Sequence, residues 1–516
     1  MPFLRLRRDM AIPEQEFDYT IIGAGAAGIN LALSLSKKGA KVMLIESGLF
    51  DLNERHQQLN NVILTGKNMN GITSGRKRAI GGTTVAWGGQ SLPFSELDFE
   101  ERNWVKNSGW PFKYEDLSRY YAEANTFMGI DNSVYYGHEV LSTIKLKDPG
   151  FNNELLDYHI SKWAKEPNFK KLYHEELEKN VFVLFDATLH HLYKDTNGNI
   201  IQIEIINFEN VKLKLSVKTL IISAGGIETN RILLNQPELF SDSQNYNLLG
   251  KGYMDHPCIT AGYVITNNKF RLQKFFNTHI NETKKISLRL SLSRKVQIQK
   301  ELLNGSASIL FEHNNTTSDI FKLIKDLRNN LDLKSILRYI KYSPNLLKSI
   351  FAYFIHAFLY KSDVEANLVL MLEQESIQSS FISLSDSRDE LGHRIVKVNW
   401  DIGDSTWKTA ILLSKMVKDE LERLGFGHVI LDSRIETNNK DWKELLSDVN
   451  HHMGGCKMSI LPKLGIVDKN LKVWSINNLY LASCAVFPST SHSNPTLTLL
   501  ALCQRLTAHL TNEEAL

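Results

Sequence analysis

The chain has 516 residues, enough for two or three domains and a large core. Its 43% hydrophobic and 23% charged residues are ordinary for a soluble globular protein, and a net charge of +3 gives no reason to expect nucleic acid. Four cysteines occur, Cys258, Cys456, Cys484 and Cys503, and none forms a C-x-x-C pair. Neither a zinc site nor a haem attachment is therefore expected, and their sparsity suits a reducing compartment.

The first segment, MPFLRLRRDMAIPEQEF, is basic and lacks the apolar core of a signal peptide. Nowhere do 18 or so apolar residues run uninterrupted, as a membrane-crossing helix needs. The expectation is a cytoplasmic protein. Tyr19 to Ile22 then reads as a buried strand, followed by Gly23, Gly25 and Gly28 in a G-x-G-x-x-G pattern. Ile29 to Lys38 reads as a helix that Gly39 stops, and Lys41 to Ile45 as a second strand ending at Glu46. This is a whole βαβ unit for a dinucleotide. Gly23 permits the tight turn, Gly25 the approach of a pyrophosphate, and Gly28 close packing of helix on strand. The helix start offers N–H groups to phosphate, and Glu46 can accept hydrogen bonds from ribose. The unit alone does not separate FAD from NAD. Its position near the start of a long chain favours FAD, a large cofactor that later loops must return to cover.

Residues 50–75 are polar and read as a surface loop. Arg76 to Gln90 follows, with two glycine pairs around a compact apolar centre, a stretch whose backbone can lie flat on a planar ligand. Here the sequence resembles the glucose–methanol–choline family of flavin oxidoreductases. The resemblance is carried by Gly81-Gly82-Thr83-Thr84 and Trp87-Gly88-Gly89, then by Gly109-Trp110-Pro111-Phe112 and Tyr114 to Tyr121. It returns at Leu220 to Leu234, where a strand enters the turn at Ala224 and a helix follows, and at Leu249 to Pro257, where such chains leave the flavin domain. Some members tether the flavin through a histidine in the first glycine loop. Ala86 stands at that position, so the resemblance implies noncovalent FAD.

Residues 181–218 read as short strands, with a turn at Asp195 to Asn199. Strand-like runs follow at 259–266, 286–293 and 366–373, and Leu384 to Trp400 reads as a hairpin. With the family in mind, these build an antiparallel roof over the substrate. The segment 319–361 is helical in pattern and basic, and Pro344 divides it. It reads as an insertion with a solvated face, or as a surface that docks to an anionic membrane or to a partner that carries electrons.

The last block runs from Asn450-His-His-Met-Gly-Gly-Cys456 through Leu481-Ala-Ser-Cys-Ala485 to Ser491-His-Ser-Asn-Pro-Thr-Leu-Thr498 and a closing helix. Its order is similar to the C-terminal block of the family. Oxidising an alcohol requires a base for the hydroxyl proton, which histidine suits, and a polar group to hold the oxygen. The resemblance implies that these are His451 and Asn494, with His452 and His492 as neighbours that could share the role. Asn494 before Pro495 also suits a helix N-cap. The resemblance further places Ser483, Cys484, Pro495 and Thr496 at the cofactor. Ser483 stands where the commoner pattern has aspartate, as in pyranose oxidases and related bacterial sugar dehydrogenases.

The expected fold is α/β, α+β in its second domain. A Rossmann-like FAD-binding domain spans 15–130, 181–262 and 441–516. A substrate domain of antiparallel sheet plus helices spans 131–180 and 263–440. The expected activity is FAD-dependent oxidation of a CH–OH group, on a sugar, glycoside or polyol, with oxygen, a quinone or a protein as electron acceptor. A non-sugar alcohol is the nearest alternative. The more distant ones are a nicotinamide enzyme, which the later glycine blocks oppose, and a non-catalytic flavin-fold binding protein.

Overall fold

The structure is a computed structural model, and it describes residues 3–10, 16–241, 243, 245–281, 284–313, 344–358, 360–361 and 364–512. The strand Tyr19–Ile22 lies inside a six-stranded sheet, all of whose pairings are parallel. Its order is Phe3–Arg5, Phe182–Phe185, Val42–Ile45, Tyr19–Ile22, Thr219–Ile222 and Leu479–Leu481. The central strands are continuous apolar runs because helices or loops cover both faces. The helices Ala26–Lys37 and Pro495–Leu510 pack on each other and join the same apolar core as this sheet. This is the Rossmann-like half of the expected fold, assembled from three separate stretches of chain.

A second core surrounds an antiparallel sheet. Its strands run in the order His428–Leu431, Cys258–Ile265, Val364–Leu372, Gly305–His313, Lys284–Leu292, Leu156–Trp163 and Gln90–Ser91, with Thr278–Asn281 paired at the side. One face is closed by the helix Asp404–Arg423, which buries Trp407, Ala410, Leu413, Val417 and Leu421 at helical spacing. The strand-like runs at 259–266, 286–293 and 366–373 all lie in this sheet. Cys258–Ile265 crosses residue 262, where the sequence places a domain boundary.

Two expectations need correction. Residues 50–75 are not all loop: Glu54–Gln58 is a helix capped by the Asn53 side chain, and Val62–Leu64 is a strand. The short strand pairs in parallel with Arg394–Asn399, a partner distant in sequence that local composition does not reveal. The hairpin Phe381–Arg388 and Arg394–Asn399 forms as read, but in a five-stranded mixed sheet with Lys251–Met254, Met453–Gly455 and Val62–Leu64 rather than in the large antiparallel one. Most of the basic insertion, residues 319–343, lies outside the described residues. Its second part is the helix Pro344–His356, which starts at the proline and leaves Phe351, Phe354 and Ile355 exposed. Among the described residues no helix is long and apolar enough to cross a membrane.

Candidate active site

A cavity of about 650 Å³ joins the Rossmann-like sheet to the histidines of the C-terminal block. Three helices start at its wall, after Gly25, after Ala224 and after Asn494. Each brings backbone N–H groups that lack intrahelical acceptors. The glycine turn is shaped as its sequence requires. Gly23 has φ +101°, and a Cβ on Gly28 would lie 1.9 Å from the Gly23 carbonyl oxygen. Gly25 differs, because a Cβ there would meet only the Gly82 Cα at 4.0 Å. The space before Gly25 is thus open to a ligand, whereas Gly28 serves packing and does not line the cavity.

Glu46 is buried, and its two carboxylate oxygens accept from Ala24 N–H at 2.9 Å and Gly48 N–H at 2.8 Å. It straps the turn and still reaches the cavity wall. Burial raises its pKa, against the two backbone donors and Arg78. Gly82, Thr83, Thr84, Trp87, Gly88, Ala224, Ser483, Cys484, Pro495 and Thr496 also line the cavity. Gly81 does not, since its own Cβ direction faces Val85 and Lys170. Ala86 lines it and offers no atom for a covalent tether. Arg76 and Arg78 line it too, although the sequence reading gave them no role. Open space before Gly25, three helix starts and a buried acid fit a dinucleotide with its pyrophosphate at the glycine turn.

His451 and Asn494, 43 residues apart in sequence, meet at the cavity. His451 Nε2 lies 3.3 Å from Asn494 Nδ2. Asn494 takes the position before the helix, but its side chain makes no capping bond. The N-cap position with proline after it is as read, but the amide is turned to the histidine instead of capping the helix. His452 lines the cavity too; its Nδ1 lies 2.8 Å from the Tyr253 hydroxyl and 3.4 Å from Asp255 Oδ2, while its Nε2 has no hydrogen-bond partner among the described residues, Asn494 included. His492 is buried, does not line this cavity, and stands beside His159.

The sequence reading missed His256. Its Nε2 is 3.0 Å from the carbonyl oxygen of Thr490, and its Nδ1 is 2.8 Å from His451 Nδ1. A carbonyl oxygen only accepts, so His256 Nε2 carries the hydrogen. In a neutral ring Nδ1 is then the acceptor, and His451 Nδ1 must donate to it. That leaves the lone pair of His451 at Nε2, facing Asn494. Burial, and then the charge of His256, depress the pKa of His451 to about 3. Burial also lowers that of His256. Both rings are neutral near pH 7, so the tautomer chain is the ground state. Asp255 braces this arrangement, its Oδ1 accepting from His256 N–H at 2.6 Å and His451 N–H at 3.0 Å. The only signal for His256 in the sequence is Asp255-His256-Pro257, which local reading treats as a domain exit.

Comparisons with known proteins agree with this architecture. Residues 376–503 match the family model described as GMC oxidoreductase. The fructose dehydrogenase large subunit of Gluconobacter japonicus is 21% identical, over 96% of this chain and 98% of its own. Formate oxidase of Aspergillus oryzae superposes with a TM-score of 0.57 at 14% identity, covering 98% of this chain and all of that one. Pyridoxine 4-oxidase from Mesorbium loti superposes with a TM-score of 0.54 at 13% identity, covering 96% and 99%. At these identities the two superpositions speak to the fold.

Proposed function

Given that this chain belongs to the glucose–methanol–choline (GMC) oxidoreductase family and is a flavin-dependent oxidoreductase of alcohols, we propose that it oxidises a sugar-like CH–OH group with His451 as the base. The observation that carries the reading is the tautomer chain from Thr490 through His256 to His451, which leaves an unprotonated Nε2 beside Asn494. The FAD-binding domain is assigned to 15–130, 181–262 and 441–516, and the substrate domain to 131–180 and 263–440. Two separate apolar cores support a two-domain division, although Phe169 and Leu177 join the Rossmann-side core and Tyr253 and Trp442 the other. FAD, when bound, supplies the hydride acceptor.

The residues of the chain do the rest. His451 Nε2 takes the hydroxyl proton as the carbinol C–H leaves as hydride, and Asn494 Nδ2 donates to the oxygen as its charge develops. Placing both on one oxygen also fixes which face of the carbon meets the cofactor. His256 acts as a positioning residue, holding the His451 proton on Nδ1. The similarity to a fructose dehydrogenase subunit supports a sugar-like substrate, and Ala86 supports noncovalent FAD. Exposed Phe351, Phe354 and Ile355 support a contact of the 344–356 helix with a membrane surface or a partner that takes electrons.

The pH profile tests the base. A histidine with an ordinary pKa of about 6.5 loses basicity as pH falls through that value. His451 is depressed to about 3, so the neutral, competent form persists well below that point. The kcat/KM for flavin reduction is expected to stay level from about pH 8 to about pH 5. An acid limb centred near 6.5 would contradict this environment for the base.

His256→Phe removes the acceptor for His451 Nδ1–H. Flavin reduction is expected to slow by about 10- to 100-fold as the two tautomers mix. His256→Asn, whose amide oxygen can accept that hydrogen, should recover part of the loss. Equal rates in all three proteins would remove His256 from the mechanism. Acid precipitation checks the cofactor linkage. The yellow colour should leave with the supernatant, and a protein pellet that stays yellow would establish a covalent bond.

A further inference from the structure

The antiparallel sheet has two unlike faces. Side chains alternate along Leu156–Trp163 and Lys284–Leu292. Tyr158, Ile160, Leu288 and Leu290 enter the apolar core, while His159, Ser287 and Arg289 stand on the other face. Trp163, in step with His159, lines the cofactor cavity, so the polar face looks toward the cofactor side. His159 and Arg289 are direct cross-strand neighbours.

Buried polar groups ordinarily find hydrogen bonds, yet these do not. Both ring nitrogens of His159 and both of His492 lack a partner, although the residues are only 0% and 1% exposed. Arg289 Nε and Ser287 Oγ are buried and unpartnered as well. The two imidazole rings stand 5.1 Å apart. Burial and then neighbouring charges, Arg289 among them, hold both rings neutral. His492 also feels the charge of His256, the ring bonded to His451. His492 stands in the chain between Thr490, whose carbonyl oxygen accepts from His256, and Asn494, so the orphaned groups border the alcohol-oxidising pair.

Arg289 makes no ion pair among the described residues, and the nearby carboxylates are already engaged. Glu373 is held by Arg102 through two bonds and by Asn304 N–H at 2.7 Å. Asp255 accepts through Oδ1 from the backbone of His256 and His451, and its Oδ2, without a hydrogen bond, lies 3.4 Å from His452 Nδ1. Burial lowers the pKa of Arg289 only to about 10, so it remains a cation. Arg289 is partly buried, with Nε shut away, and a partly desolvated guanidinium without a counter-ion is costly unless a ligand brings one.

We propose that Arg289, with His159 and His492, binds a carboxylate on the substrate, so that the alcohol oxidised at His451 and Asn494 belongs to a sugar acid or a similar hydroxy acid rather than to a neutral polyol. The guanidinium fork matches the two oxygens of a carboxylate, and neutral imidazole N–H groups add donors. A hydroxyl alone would leave the positive charge unpaired. The placement of this anchor rests on the oxidation reading above, but its test does not need turnover.

Two matched pairs of compounds serve, D-glucuronate against D-glucose and D-gluconate against D-glucitol. Each is titrated anaerobically into His451→Ala holoenzyme, and binding is read from the change in the flavin spectrum. The acids are expected to bind at least about tenfold more tightly than their neutral counterparts. Adding Arg289→Met should raise the Kd of the acids about 10- to 100-fold and leave the neutral compounds within about twofold. Arg289→Lys keeps the charge without the fork and should fall between. If Arg289→Met loses its flavin, the comparison of parent with Arg289→Lys decides. Equal binding of acids and neutral compounds, or acid binding that neither variant changes, overturns the proposal. The two readings fail separately. Acids that bind through Arg289 while no alcohol ever bleaches the flavin would sink the oxidation reading alone. Neutral sugars that bleach while acids neither bind nor bleach would sink the anion site alone.

Discussion

Replacing His451 by alanine is expected to slow anaerobic flavin reduction by about 10²- to 10⁴-fold, the range that a positioned general base contributes. The protein should keep its FAD, because the glycine turn, Glu46 and the three helix starts form their contacts without this side chain. The loss arises because His451 is the ring whose free lone pair is fixed by its neighbours. His452 is the neighbour that could take over, but its ring is held by Tyr253 and Asp255 and, unlike His451, makes no hydrogen bond to Asn494. Asn494 would remain to donate to the substrate oxygen, which accounts for residual activity. Single-turnover mixing with substrate measures the rate directly. A variant within twofold of the parent would show that another group takes the proton.

The second large effect is on stability. Arg102 and Glu373 form a two-bond ion pair with side chains 1% and 0% exposed. Breaking such a pair from one side leaves a buried charge uncompensated, at a cost of about 3–5 kcal/mol. Arg102→Met should lower stability by that amount in urea unfolding. Arg102→Met combined with Glu373→Gln should recover much of it, since no charge remains and the amide oxygen can still accept from Asn304 N–H. A single variant within about 0.5 kcal/mol of the parent would mean that water reaches Glu373. The pair also bears on catalysis, because the negative charge of Glu373 acts on both His256 and His492. Freed of Arg102, it would favour protonated His256. Nδ1 would then become a donor, and the lock on His451 would be lost. Arg102→Met should therefore lose activity first on the acid side.

The parts of this molecule that were legible in the sequence are those whose chemistry is local. Gly23, Gly25 and Gly28 announce a backbone turn, and Glu46 follows at the end of the next strand; the structure places all four within one βαβ unit. His451 and Asn494 were named through family resemblance, and the fold brings them within 3.3 Å. His256 and Arg289 were not legible. Each acquires its meaning from a distant neighbour, His451 in one case and the His159–His492 pair in the other. Alternation marks Arg289 as the polar face of a strand, which ordinarily means solvent. Only the assembled sheet shows that this face turns to the cofactor side, with His159 and Ser287 buried beside Arg289. The short strand Val62–Leu64 was missed for a similar reason, since its partner lies over 300 residues later. Asn494 carries both of its readings: it holds the N-cap position before Pro495, and its amide faces His451 rather than the helix.

An anaerobic visible spectrum of the purified protein, recorded before and after adding sugars, sugar acids and polyols, tests alcohol oxidation at His451 most directly. A bound FAD band is expected that one of these classes bleaches, and the same class should fail to bleach it quickly when His451 is alanine. A protein that takes up no flavin, or a flavin that every alcohol leaves fully oxidised, would contradict alcohol oxidation at this site.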